Sequence, residues 1–262
     1  MGERLTLLIL PDKISIARNT YSPRRSRSGL VLIIMQRAVV LLSGGLDSTT
    51  VAAKAKADQR EIYALTIDYN QRHRTEIEAA KRVAAWLGVK RHVIMPINLR
   101  LFGGSSLTDT ISVPKNVDTD QIGIGIPNTY VPARNTIFLS LALALAETVD
   151  AGEIYIGVSS VDYSGYPDCR PEFLQAFENC AEKGTRRGTE QKGRFAICAP
   201  LMSMSKAEII RLGFSLGVDY SLTQTCYDPT EDGKSCDACE ACLLRRKGFQ
   251  EAGVPDPNEV KE

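Results

Sequence analysis

Residues 37–50, Arg-Ala-Val-Val-Leu-Leu-Ser-Gly-Gly-Leu-Asp-Ser-Thr-Thr, constrain this chain more than any other stretch. Its first half is a continuous apolar run with two β-branched valines, the pattern of a strand buried on both faces. The Ser-Gly-Gly that follows predicts a turn, because adjacent glycines at a strand end supply backbone angles that other residues reach poorly. Asp47 and Ser48 then open a segment of helical composition, Thr49 to Ala57. Strand, glycine turn and helix start together make an anion cradle, with bare N–H groups and the positive end of a helix converging on one spot. Ser43, Ser48 and Thr49 add hydroxyl donors to it.

The order of residues distinguishes this loop from other phosphate loops. A Walker A loop requires G-x-x-x-x-G-K-[ST]. Gly233-Lys234-Ser235 matches only its tail, with Asp228 where the first glycine belongs and no strand before it. Ser43-Gly44-Gly45-Leu46-Asp47-Ser48 instead resembles the S-G-G-x-D-S pyrophosphate loop of the N-type ATP pyrophosphatases. That resemblance implies cleavage of ATP between its α- and β-phosphates, with AMP passed to a poor leaving group. It assigns catalysis to Ser43, Asp47 and Ser48, and nucleotide contacts to Leu42, Ser43, Gly44, Gly45, Leu46, Asp47, Ser48, Thr49, Thr50, Val51 and Ala52.

A chain of 262 residues has room for one large domain and a small appendage. Net charge is +1, but residues 1–34 carry six basic and two acidic side chains, which leaves 26 basic against 29 acidic in the remainder. A mildly acidic body argues against broad nucleic-acid binding. No run of about 18 apolar residues predicts a membrane span, and Leu5–Leu10 is too short for the core of a secretory signal. The cytoplasm is therefore the expected location. Residues 1–34 lack apolar periodicity and read as a disordered extension ahead of a body that begins near Met35.

Beyond the loop, strands and helices alternate. Strands are expected at Glu61–Ile67, Arg91–Ile97, Glu153–Ser159 and Ala196–Ala199, and helices at Arg74–Leu87, Ile137–Thr148, Glu172–Lys183 and Ile209–Leu216. Gly88 stops the first of these helices, and Ser205 with Glu208 forms a capping box before the last. This alternation predicts a layered α/β fold, a parallel sheet with helices on both faces. Ligands of such sheets bind beyond the carboxyl ends of the strands. Arg72 and His73, in the loop after the second strand, are substrate candidates on that ground. Arg134 and Asn135 qualify as the start of a helix that can hold an anion, and Asp168 and Arg170 as an acid and a base flanking a turn. Asn98–Tyr130 is long and polar, which predicts a functional lid or disorder.

The composition changes at the C-terminus. Cys226, Cys236, Cys239 and Cys242 place four cysteines in 17 residues, three of them in C-x-x-C-x-x-C spacing. Four thiolates suit one tetrahedral ion, and zinc is favoured over an iron–sulfur cluster that shares such spacings. With no coordination position left open, the role is structural. Cys169, Cys180 and Cys198 are scattered and read as small buried hydrophobes. The expected organisation is an extension at 1–34, an ATP domain at 35–224 and a zinc-binding segment at 225–262.

In one chain and one order stand the S-G-G-x-D-S loop, Asp68-Tyr69-Asn70-Gln71-Arg72-His73, Val131-Pro132-Ala133-Arg134-Asn135, Tyr166-Pro167-Asp168-Cys169-Arg170 and the four-cysteine cluster. Together they resemble the 7-cyano-7-deazaguanine synthase family of queuosine and archaeosine precursor synthesis. The resemblance implies that ATP and free ammonia convert 7-carboxy-7-deazaguanine to the nitrile through adenylated carboxylate and amide, with Mg2+ accompanying ATP. Its partners are small molecules, with neither nucleic acid nor membrane, and a homodimer is compatible with the sequence. Two alternatives stand beside it: a related tRNA thiolase, and a zinc-dependent binding module without catalysis.

Overall fold

The computed structural model describes residues 36–71, 74–118, 122, 125–159, 165–190 and 193–259. The expectations for residues 1–34, and for Arg72 and His73, lie outside these residues. Five strands pair in parallel in the order β3-β2-β1-β4-β5. They are β1 (Arg37–Leu41), β2 (Glu61–Asp68), β3 (Arg91–Pro96), β4 (Glu153–Tyr155) and β5 (Ala196–Cys198). The apolar run at Val39 and Val40 is thus the central strand, with neighbours on both edges.

Side chains alternate along these strands and divide the interior in two. Val39, Leu41, Leu65, Ile67 and Ile154 face one core, whose other wall is α3 (Arg134–Thr148) and α4 (Pro171–Gly184). Ala38, Val40, Ile62, Ala64 and Tyr155 face the other. That second core is closed by α1 (Leu46–Ala57), α2 (Thr75–Leu87) and α6 (Lys206–Ser215). A four-residue turn of helix, α5 (Arg186–Thr189), follows α4. The doubly covered parallel sheet expected from the sequence is what forms. No helix among the described residues is long and apolar enough to cross a membrane.

Local signals set the helix ends. Gly88 stops α2 in the left-handed conformation, φ 64°. Ser205 and Glu208 make both halves of the capping box that opens α6. Three expectations need correction. The strand expected at Glu153–Ser159 is a strand only over Glu153–Tyr155, with one further bond from the Ile156 N–H to the Cys198 carbonyl at 3.0 Å. The described part of Asn98–Tyr130 is packed in part, with Ser105, Ser106, Thr108 and Thr129 buried and Lys115 bridging to Cys239, while Leu101, Phe102 and Ile126 stay exposed. The C-terminal segment, where no helix was expected, contains the 13-residue helix α7 (Glu240–Ala252). Sequence reading missed that helix because its apolar spacing begins inside the cysteine cluster. Ala241 and Cys242 at its start belong to the first core and Phe249 near its end to the second.

Candidate active site and four-cysteine centre

The strand order reverses at β1. β2 and β3 lie to one side of it, β4 and β5 to the other, so crevices at their carboxyl ends open where β1 meets β4. A cavity occupies this position, walled by Leu41 at the end of β1 and Leu42 after it, Leu65–Ile67 of β2, and Ile156–Val158 beyond β4. Ser43, Gly45, Leu46, Asp47 and Ser48 form its floor at the start of α1.

The floor is fastened by its own hydroxyls. Ser48 Oγ donates to the Gly45 carbonyl at 3.1 Å and accepts from the Ser43 N–H at 3.2 Å. The Ser43 and Ser48 hydroxyls lie 3.0 Å apart. Thr49 Oγ1 donates to the Gly45 carbonyl at 2.8 Å, and Thr50 Oγ1 to that of Leu46 at 2.9 Å. Thr49, Thr50, Val51 and Ala52 are buried within α1's packed side and do not line the cavity, nor does Gly44.

The two glycines do different work. Gly44 has φ +84°, and a Cβ there would come within 2.4 Å of the Ala80 nitrogen and 2.5 Å of the Glu76 carbonyl oxygen. It is glycine so that the loop can lie against the first turns of α2. Gly45 has an ordinary φ of −79° and caps α1. The expectation that both need unusual backbone angles therefore holds for Gly44 alone.

Asp47 holds an ion pair that the sequence did not reveal. Lys206 Nζ reaches both of its carboxylate oxygens at 2.8 Å, and the lysine is only 6% exposed. In the sequence Lys206 was merely the residue after a helix cap. Its position 159 residues away from Asp47 hid the pairing.

The far wall of the cavity is assembled from α2, α3 and the segments beside them. Arg134, Glu76, Tyr69, Tyr166, Tyr227, Asn135 and Cys169 all line it. Burial opposes the charge on Arg134, but Tyr69, Tyr166, Tyr227 and Asp168 around it hold its pKa above the ordinary value. Asp168 is buried and turned into the start of α3, where its Oδ2 accepts from the Asn135 N–H at 2.9 Å. The Asn135 amide reciprocates at the Asp168 carbonyl, 3.2 Å. Arg134, Asn135 and Asp168 are thus brought together, while Arg170 is exposed at the start of α4 and does not line the cavity. Burial and Asp168 push the Cys169 thiol up to about 12, so it stays protonated. Glu76, which sequence reading passed over as an acidic residue of a first helical turn, is pushed up to about 7 by burial.

A shorter chain of contacts supports the loop from behind. Thr66 Oγ1 donates to the Leu42 carbonyl at 2.5 Å and lies 2.8 Å from His92 Nε2. Because the hydroxyl spends its proton on Leu42, Nε2–H must be the donor to it. Burial lowers the pKa of His92, in keeping with a neutral ring.

The four cysteine thiols converge, with all Sγ atoms within 4.8 Å of one another. Tetrahedral Zn–S bonds of about 2.3 Å would separate the sulfurs by about 3.8 Å, so the set suits one metal ion. The Cys236 N–H donates to Cys226 Sγ at 3.2 Å and the Cys239 N–H to Cys236 Sγ at 3.4 Å, which orients the ligands. Asp237 adopts φ 56°, tightening the turn between the second and third cysteines. Cys239 caps α7, whose positive end favours a thiolate. Of the other cysteines, Cys169 is buried as expected, Cys198 on β5 is only half-buried, and Cys180 is exposed on α4.

A glycine loop and helix start at the switch point of a parallel α/β sheet make an anion cradle in a doubly covered α/β protein, and the four convergent thiols could hold a metal ion. A sequence model described as Queuosine biosynthesis protein QueC matches residues 37–253, and the chain belongs to that family. It is 59% identical over 222 residues to the 7-cyano-7-deazaguanine synthase of Rhizorhabdus wittichii, covering 85% of this chain and 94% of that protein. The enzyme of the same name from Myxococcus xanthus is 55% identical over 229 residues, with 87% and 99% covered.

Proposed function

We propose that this chain converts 7-carboxy-7-deazaguanine to 7-cyano-7-deazaguanine, using two ATP and one ammonia per nitrile. One observation carries the reading. In a chain that matches synthases of that name along nearly their whole length, the phosphate loop and a half-buried arginine, Arg134, face the same cavity.

In this reading the departing pyrophosphate rests on the N–H groups and hydroxyls of Ser43–Ser48 at the start of α1. Arg134 holds the substrate carboxylate against the α-phosphorus, a task suited to a cation that cannot lose its proton. The tyrosines around it offer flat faces to the deazapurine. Attack by the carboxylate gives an acyl-adenylate, ammonia displaces AMP to give the amide, and a second adenylation followed by loss of AMP leaves the nitrile. Asp47 fixes Lys206 beside the phosphates through both carboxylate oxygens. With Asp47 so occupied, the described floor offers magnesium no cage of its own, and the ion would enter on the nucleotide's phosphates.

Cys226, Cys236, Cys239 and Cys242 would hold zinc, which supplies cross-linking of a closed site and no open coordination position. The nucleotide work then falls to residues 35–224 and the metal to 225–262, in a cytoplasmic enzyme that meets ammonia free. The thiolase alternative needs a cysteine that carries sulfur as a thiolate, and Cys169, the one cysteine lining the cavity among the described residues, is held protonated. Mass spectrometry after incubation with the carboxylate, ammonia and ATP tests the reading. The nitrile with two AMP per molecule is the expected result, and ADP as product would refute it.

A further inference from the structure

Three carboxylates come to the cavity or its border: Asp47, Asp168 and Glu76. Two are committed, Asp47 to the buried Lys206 and Asp168 to the start of α3. Glu76 differs. Among the described residues its side chain makes no ion pair or hydrogen bond, although it lines the cavity together with Arg134. Its place is fixed by backbone. The Glu76 carbonyl packs against Gly44, so the first turn of α2 is held directly beside the phosphate loop. Its side chain lines the same cavity as the loop that receives pyrophosphate and the arginine that receives the substrate's carboxylate, and the reacting carbon must lie in that cavity.

The reaction read above makes a demand that neither the loop nor Arg134 can meet. Ammonia carries three N–H bonds and the nitrile none, so three protons must leave the nitrogen. We propose that Glu76 is the catalytic base that takes protons from this nitrogen, an inference that rests on the synthase reading. In the first displacement the ammonia lone pair forms the C–N bond, AMP leaves with the C–O bonding pair, and one proton passes to the Glu76 carboxylate. In the second activation the amide oxygen attacks the α-phosphorus of the second ATP, pyrophosphate leaves, and the nitrogen gives up another proton. The third is lost as AMP departs with its bonding pair and the C≡N bond closes. Between steps the carboxyl returns each proton to water at the cavity mouth.

Electrostatics suits the task. Burial, offset in part by the Arg134 guanidinium from α3, lifts the Glu76 carboxyl to about 7; Tyr69 beyond β2 and the Cys239 sulfur at the start of α7 also face it. A base whose pKa lies near the working pH is both ionised and basic enough to act.

The test uses the full chain with Glu76→Gln and Glu76→Asp. Carboxylate-dependent ATP–pyrophosphate exchange reports the adenylation step, which needs no base. It should stay within about two-fold of wild type in Glu76→Gln, while nitrile formation at constant free ammonia falls about 10²–10⁴-fold. The acidic limb of the wild-type rate profile should disappear in that variant, and Glu76→Asp should recover at least ten-fold over it. Equal loss of exchange and nitrile formation in Glu76→Gln would overturn the proposal, as would unchanged nitrile formation or an aspartate no better than glutamine. Absence of exchange in the wild type would instead refute the synthase reading itself.

Discussion

The floor of the cavity and its far wall are built in opposite ways. The floor is one run of sequence, residues 42–48, and its hydroxyls satisfy partners no more than five residues away. The far wall draws on residues as distant as Tyr69, Arg134, Tyr166 and Tyr227, and is closed from outside by α7. That helix starts in the four-cysteine cluster, presents Ala241 and the buried Arg245 to the cavity, and ends with Phe249 in the opposite core. Arg245 pairs with Asp256 at 2.6 Å and donates to Thr223 Oγ1 at 2.8 Å, so α7 also ties down the segment lying over the phosphate loop. A locally made floor tolerates damage elsewhere. A wall made of distant pieces depends on whatever pins them.

The largest effect should therefore come from the pin. Cys239→Ser removes one ligand while leaving a serviceable cap on α7, since serine is itself a favoured N-cap residue. Structural zinc in small peptides contributes about 10–16 kcal/mol, comparable with the whole stability of a domain at about 5–15 kcal/mol. The expected outcome is loss of the metal by elemental analysis, together with early hydrogen exchange in α7 ahead of the sheet. Full protection of α7 in a metal-free protein would break the comparison, because the wall would then stand without its pin.

Next in size is Asp47→Ala, which strikes the floor where it meets α6. It leaves the Lys206 ammonium buried without its counter-charge. Breaking a buried pair from one side costs about 3–5 kcal/mol, and the 20% exposure of the Asp47 side chain favours the lower part of that range. Denaturant midpoints should show the loss, and Asp47→Ala with Lys206→Met should restore most of the stability. Turnover of ATP to AMP should remain absent in both. Recovered turnover in the double variant would mean that the pair serves folding alone.

The two glycines sharpen the same contrast within the floor. Gly44→Ala forces a Cβ into the backbone of α2 at a positive φ, a clash with no flexible side chain to yield, and should cost about 1–3 kcal/mol. At Gly45 the nearest atom to an added Cβ is Ser43 Oγ at 3.4 Å, so Gly45→Ala should change the melting temperature little. Equal losses would show that the loop is strained throughout, and not only where it touches α2.

These differences also account for what could be read from sequence. The alternating pattern, the glycine loop, the capping box at Ser205 and the cysteine spacing are all local, and each appears in the structure where its residues placed it. Lys206, Glu76 and Arg245 were not legible as parts of the cavity, because a lone charged residue in a helical pattern reads as solvated surface until tertiary packing buries it. Asp168 was legible as a residue of interest, but not as the partner of the Asn135 N–H, which lies 33 positions away. Even α7 was hidden, since its two ends answer to different cores.

The smallest effect tests the support behind the floor. His92 on β3 holds Thr66, and Thr66 holds the Leu42 carbonyl at the top of β1. Burial, reinforced by Lys81, lowers the His92 pKa in the folded protein below the ordinary value of about 6.5 that the unfolded chain retains. The unfolded state then binds the proton first as pH falls. Stability should accordingly be constant above about 6.5, decline as the pH drops through that value, and level off below the folded pKa. Urea unfolding across this range should show the decline, and His92→Gln should remove it while keeping an N–H to offer Thr66. A decline of the same size in His92→Gln would remove His92 as its source. Glu76 in the far wall also titrates near neutrality. Its sign separates the two: a raised carboxyl stabilises the fold at low pH and weakens it as pH rises from about 4.3 toward 7, the opposite of the histidine.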